Sequence, residues 1–108
     1  MSTKKIQILG SFLPSTSTVR IAEIDLFSDA WQGDVSPYFQ TVDIEGITEF
    51  SQVDITPSVS QLGIFYNKDL TFVTENDSGV VTVYAIGDKP LNDYTVQVTI
   101  AEVSVWKL

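Results

Sequence analysis

Apolar residues recur with a period of two along most of the chain, most clearly from Leu70 to Val105, where two turn signals separate three alternating runs. Leu70, Phe72 and Thr74 alternate with Thr71, Val73 and Glu75. Asn76-Asp77-Ser78-Gly79 follows as a four-residue hairpin loop of residue types that tolerate positive φ. The return run, Val80 to Ile86, is apolar on both sides, with Tyr84 and Ile86 on one and Val81, Val83 and Ala85 on the other. Such a strand is expected in the middle of a sheet covered on both faces. Gly87-Asp88-Lys89-Pro90 turns the chain again, and Tyr94, Val96, Val98 and Ile100 line one face of the next strand. At Ala101-Glu102 the apolar parity switches to Ala101, Val103 and Val105, which predicts a bulge or passage to a different packing surface.

The first half follows the same logic less regularly. Ile6, Ile8 and Phe12 predict a short strand or extended arm, and Pro14-Ser15-Thr16-Ser17-Thr18 reads as a polar linker. Val19, Ile21 and Glu23 alternate with Ala22, Ile24 and Leu26, so this run has apolar residues on both faces and predicts a buried strand. Loop residues fill Phe27 to Pro37. A further strand sets Tyr38, Gln40, Val42 and Ile44 against Phe39, Thr41, Asp43 and Glu45, and another spans Thr48 to Ile55. Thr56-Pro57 is a helix-start signal, since a threonine oxygen caps free N–H groups and proline loses nothing at the first helical position. Val59, Leu62 and Tyr66 then fall at helical spacing, and Asn67-Lys68 ends the helix. Short strands, frequent turns and no long crossover helix predict an all-β, mainly antiparallel fold, a β-sandwich or compact β-barrel with one short helix near 57–66. The expected division is an N-terminal attachment arm and linker over 1–18 and a β-rich globular module over 19–108.

Composition narrows the function classes. A chain of 108 residues fits one domain with its own core. Fourteen acidic against six basic residues give a formal charge of −8, which argues against nucleic acid as a partner. Cysteine and histidine are both absent, so disulfides, thiolate chemistry and imidazole chemistry are excluded. Lys4-Lys5 followed by Ile6 to Leu13 superficially resembles a secretory signal, but Gln7 interrupts it and no small-residue cleavage site follows, so it reads as a retained first strand. No apolar run approaches the ~20 residues that span a bilayer, and membrane insertion is not expected.

Candidate chemistry is sparse. Asp25, Asp29 and Asp34, or Asn76 and Asp77 with Ser78, offer oxygen ligands for calcium, but neither set has the spacing of a twelve-residue binding loop, and solvated turn acids explain them better. Asp43 and Glu45 share a strand face, as a carboxylate pair for glycoside cleavage would, and as two charges on a wet face also would. Ser11, Ser15 and Ser17 lie in a polar stretch without a histidine or nucleophile elbow. No catalytic, cofactor-binding or metal-ligating residue is therefore expected. Among the aromatics Trp31, Tyr38, Phe39, Phe50, Phe65, Tyr66 and Trp106, most are expected in the core, while Trp31 and Trp106 sit at element ends where interface anchors also occur. With the arm residues Ile6, Ile8 and Phe12, they are the candidates for attachment to a partner chain.

A resemblance adds a functional expectation. Ala30-Trp31, Ser36-Pro37-Tyr38, Val53-Asp54-Ile55, Pro57-Ser58, Gln61-Leu62, Glu75-Asn76-Asp77, Gly79, Val81 to Gly87, Lys89-Pro90, Asp93, Val96 to Ile100 and Glu102-Val103 resemble a C-terminal module of prophage fibre-like virion proteins. Lys4 to Ser11 separately resembles the start of small structural proteins encoded in prophages of Gram-positive hosts. The resemblance implies a non-enzymatic bacteriophage virion protein, a head decoration or tail/fibre component, assembled in the bacterial host cytoplasm and located in the virion. Its partners would be other virion proteins and other copies of itself, with a trimer favoured by analogy. Relatives often carry a collagen-like or coiled segment before the module, whereas here a few Ser/Thr residues intervene, which favours a short decoration or adaptor role over a long fibre. A host-surface carbohydrate-binding module, working through exposed aromatics, is the alternative; burial of those aromatics would favour the scaffold.

Overall fold

The computed structural model describes residues 15–105, with side chains described for 18–102. Six strands and one helix follow in the order β1 (Ser15–Leu26), β2 (Tyr38–Val42), β3 (Ser51–Ile55), α1 (Val59–Asn67), β4 (Leu70–Asp77), β5 (Val80–Gly87) and β6 (Tyr94–Val105). They form two three-stranded antiparallel sheets, ordered β1-β6-β3 and β2-β5-β4, which gives the all-β, mainly antiparallel class that the alternating pattern predicts. The inner residues of the two central strands, Val81, Val83 and Ala85 of β5 and Val96, Val98 and Ile100 of β6, are almost completely buried and form the middle of the core. Each buried valine or isoleucine contributes about 1.5–3 kcal/mol relative to an exposed one.

Several expectations change on contact with the fold. The Ser/Thr run read as a linker is already strand, because Ser15 to Thr18 pair with Val105 to Glu102; a short hydroxyl-rich run suits a pleated backbone once a partner strand is present. β1 is buried on one face only: Ile24 and Leu26 point inward, while Val19 and Ile21 are exposed. Likewise β5 is central, yet Val80 and Ile86 on its outer side are exposed, so one layer covers it rather than two. Among the described residues no bulge interrupts β6. Its register with β1 runs unbroken from Leu26↔Tyr94 to Ser15↔Val105, and its register with β3 continues to Ser51↔Glu102. The parity switch has a different cause. The inner position after Ile100 is Glu102, whose Oε1 accepts the Ser51 hydroxyl at 2.7 Å, so the inward face turns polar at the end of the sandwich.

The hairpin between β4 and β5 is tighter than a four-residue loop. Only Ser78 and Gly79 lie outside the ladder, with φ of 53° and 95°, the pair of positive values a type I′ turn requires. Gly87 closes the other end of this pair at φ 108°, where an added Cβ would stand 2.0 Å from the Asp69 carbonyl oxygen. Only glycine fits there.

The helix lies where expected, but its cap and buried face differ. Ser58, not Thr56, is the N-cap, and its hydroxyl accepts the Gln61 N–H at 3.2 Å. Thr56 instead prolongs β3, donating its N–H to the Gln97 carbonyl at 2.8 Å. The expected stripe of Val59, Leu62 and Tyr66 faces solvent, and Phe65 is the helix residue that reaches the core. A nine-residue helix laid across a sandwich edge inserts one large side chain there, and the aromatic ring wins over the thinner stripe.

Polar side chains bind the sheets together at both edges. On one side the buried Gln40 amide donates to the Phe27 carbonyl at 3.0 Å and accepts the Phe27 N–H, and the Arg20 Nη2 donates to the Glu45 carbonyl. On the other side Asn76 Nδ2 donates to the carbonyls of Thr48 and Ser51 at 2.8 Å, and the Thr74 hydroxyl donates to the Val53 carbonyl. Asn76 Oδ1 also accepts the Gly79 N–H at 2.9 Å, so one side chain fixes both the β3–β4 junction and the hairpin turn.

Candidate functional site

The loop after β1 brings Trp31 to the centre of an aromatic cluster. Its indole stacks on Phe72 with centroids 5.7 Å apart and planes 9° from parallel. Phe65 meets Phe72 and Tyr94 edge-on at 5.0 and 5.1 Å. Such pairs add about 0.5–1.5 kcal/mol each beyond the area they bury. Trp31 is 6 % exposed, and its indole N–H finds no acceptor among the described residues. The tryptophan proposed as an anchor for a partner chain is thus a core residue of its own chain. The other four attachment candidates, Ile6, Ile8, Phe12 and Trp106, lie outside the described residues.

The acidic candidates fall into place as surface groups. Asp25 accepts the Thr95 hydroxyl at 2.7 Å, whereas Asp29, Asp34 and Asp77 are set in or beside turns. Among the described residues, no three acidic, histidine or cysteine side chains gather in a way that could hold a metal ion. Asp43 and Glu45 lie beyond the end of β2, and Glu45 lends its carbonyl rather than its carboxylate to Arg20. Asp93, which the sequence did not mark as a candidate ligand, accepts the Ser28 N–H at 2.7 Å, and this bond holds its carboxyl below the usual range.

Among the described residues, wet apolar surface lies in three regions. The outer face of β2-β5-β4 carries a row across all three strands, in which Tyr84 is paired with Phe39 on one side and Val73 on the other, with Ile86 and Val80 on the same face of β5. The Tyr84 hydroxyl donates to Glu75 at 3.2 Å, and the Glu75 carboxylate, followed by partial desolvation and Asp77, raises its phenol above the ordinary value. The helix exposes Val59, Leu62, Ile64 and Tyr66 beside an open groove of about 250 Å³ whose walls include Ile55, Pro57, Phe65 and Phe72. The outer face of β1 carries Val19 and Ile21. These surfaces follow from strand parity, and alternation marks them once it is known which face each sheet buries. No protein-family model, no curated protein and no solved structure matches the chain. No helix among the described residues is long and apolar enough to cross a membrane.

Proposed function

We propose that the chain is a non-enzymatic structural component of a bacteriophage virion, a head decoration or tail/fibre protein. In this reading the residues before the β-sandwich attach it and the sandwich associates with other copies of itself and with neighbouring virion proteins. The virion assignment is supported by the resemblance of Phe27 to Val103 to a phage fibre module. The assembly role is supported by one observation above all: a sandwich whose core is closed still exposes fourteen large apolar side chains among the described residues, many of them grouped on sheet faces and one helix. Contiguous wet apolar surface of this kind is the usual mark of an interaction surface.

The placement of the aromatics supports a scaffold over sugar recognition. Trp31, Phe65, Phe72 and Tyr94 pack inside; Phe39, Phe50 and Tyr66 are exposed, and the neighbouring Phe39 and Tyr84 rings are tilted 48° to one another rather than forming a flat platform. The test is mass spectrometry of particles purified after induction of the host's prophage. A fixed copy number per particle is expected, and a chain recovered only from the soluble lysate would overturn the assignment. Incubating the protein with host cell-wall glycans should release no reducing ends.

A further inference from the structure

We infer that β1 is a self-pairing edge, through which two copies join antiparallel about a two-fold axis at Arg20, merging two three-stranded sheets into one of six, ordered β3-β6-β1-β1-β6-β3.

The sandwich has four terminal strands, and their free sides are treated differently. The free side of β3 is met by the Thr74 hydroxyl and the Asn76 amide, which bond to its carbonyls. That of β2 is occupied at Phe39 by Gln32, which exchanges two backbone bonds with it at 2.8 and 3.1 Å. β1 is the longest terminal strand, twelve residues against five for β2 and β3 and eight for β4. Its twelve residues all pair with β6, and among the described residues no backbone group bonds to its other side. It contains no proline and, at its middle, two large side chains exposed at 67 and 65 %, Val19 and Ile21. Proteins generally blunt such an edge by shortness, bulges, proline or lysine, because unpaired N–H and C=O groups recruit another strand. β1 has none of these, and its three charged side chains are Arg20, on the inward parity of Ile24 and Leu26, and Glu23 and Asp25 on the outer face.

The residue pattern says which strand fits. A two-fold antiparallel pair keeps inner faces on one side, so residues of equal parity must stand opposite each other. With Arg20 on the axis, Val19 stands opposite Ile21 of the partner subunit and Ile21 opposite its equivalent valine, which gives four contiguous apolar side chains at the centre. Glu23 and Asp25 then fall opposite positions 17 and 15, which are uncharged serines, so no carboxylate meets another in spite of the chain's net charge of −8. Moving the axis to Ile21 sets Val19 against Glu23, and moving it to Glu23 sets like charges against each other, an unfavourable cross-strand pair. The one like-charged pair in the favoured register is Arg20 with itself, and there the guanidinium is drawn off the strand toward the Glu45 carbonyl and Gly46. The ladder from Ser15 to Asp25 is about 37 Å long at ~3.4 Å per residue. Its footprint is at the modest end for a specific interface, which fits a dimer with micromolar affinity. The proposal rests on the self-association part of the functional reading and not on the virion assignment; a chain absent from phage particles would leave it standing.

The register is tested by charge substitution in the full-length protein, with sedimentation equilibrium over a micromolar concentration range as the readout. The wild type should be a monomer–dimer system. The variants V19K/I21K and V19E/I21K remove the same two apolar residues, at exposed positions where folding should survive, as circular dichroism and thermal unfolding would verify. In the first, lysines face lysines across the axis; in the second, each introduced glutamate faces an introduced lysine on the other copy. The second should dimerise at least about tenfold more tightly than the first, since opposite charges directly across a strand pair attract and like charges repel. A wild type that stays monomeric, a trimer as the fibre analogy favours, or a dimer equally strong in both variants would each overturn the proposal. The last two outcomes would send the search to the helix groove, the outer face of β2-β5-β4 or the N-terminal residues.

Discussion

The two central strands, β5 and β6, are nearly interchangeable from the inside and opposite in character from the outside. Inward, each contributes three small or β-branched residues with almost no exposure, Val81, Val83 and Ala85 against Val96, Val98 and Ile100. Outward, β6 carries Thr95, Gln97 and Thr99, and the threonines bond to neighbouring strands: Thr95 to the Asp25 carboxylate at 2.7 Å, Thr99 to the Thr56 hydroxyl at 3.0 Å. β5 instead sends out Val80, Thr82, Tyr84 and Ile86; Tyr84 bonds to Glu75 and stands between Phe39 and Val73, while Val80 and Ile86 meet solvent. A sheet face that satisfies itself through polar cross-strand bonds is finished as a surface, whereas one built from wet apolar side chains gains by being covered. Burial inside the sandwich therefore sets stability, and the chemistry of the outer faces sets association.

The comparison makes its largest prediction on the inside. Val83→Asp and Val98→Asp each place a carboxylate where no partner can reach it, at a cost of several kcal/mol, and both variants should fail to fold cooperatively in a thermal melt. If either folds normally, the two strands are not equivalent core elements. A pair of truncations then separates inside from outside. Ile100→Ala should lose about 2–5 kcal/mol of unfolding free energy in urea titration, while Ile86→Ala, at a position 45 % exposed, should stay within about 1 kcal/mol of the parent. Equal losses would mean that the outer face of β5 is covered.

Smaller effects test what holds the two sheets together. Asn76→Ala deletes bonds to Thr48, Ser51 and Gly79 at once and should cost about 1–3 kcal/mol, because carbonyls beside the junction lose their donor. The smallest effect is one of pH. The Ser28 N–H stabilises ionised Asp93, so its carboxyl titrates lower in the folded chain than in the unfolded one. That contribution is present above the ordinary aspartate pKa of about 3.9 and is lost as pH falls through the lower folded value. Asp93→Asn should therefore flatten the acid limb of the stability profile while leaving stability at neutral pH close to that of the parent, as suits an exposed group.

Strand parity is legible wherever one face is polar. The sides that alternation assigns to Tyr38, Gln40, Val42 and Ile44 and to Tyr94, Val96, Val98 and Ile100 are the inward sides in the fold. Parity fails for Val80 to Ile86 and for Val19 to Leu26, where apolar residues on both sides imply two covered faces and the fold covers one. Alternation reports what a side chain would prefer, and only the second sheet decides which preference is met. The Ser/Thr run at 15–18 misleads for a related reason: its order comes from the facing backbone of β6, which local composition does not record. In the helix, Phe65 outweighs the spaced set of Val59, Leu62 and Tyr66 because a single ring fits between Phe72 and Tyr94. Trp31 is legible as an anchor but not as an anchor to its own chain, since the ring it stacks on lies far along the chain, in β4.

The unbroken β1–β6 ladder also has a mechanical consequence. Ser15 and Val105 are direct partners at one end of it, so the two ends of the sandwich leave side by side. Tension applied through those ends would open the ladder one hydrogen bond at a time from Ser15↔Val105 toward Leu26↔Tyr94, as a zip opens, whereas tension between Ser15 of β1 and Tyr94 of β6, at opposite ends of the ladder, would load the whole row together. The fold is weak to pulling at its paired ends and strong to shear along its longest strands, so the direction in which it is tethered determines how much force it withstands.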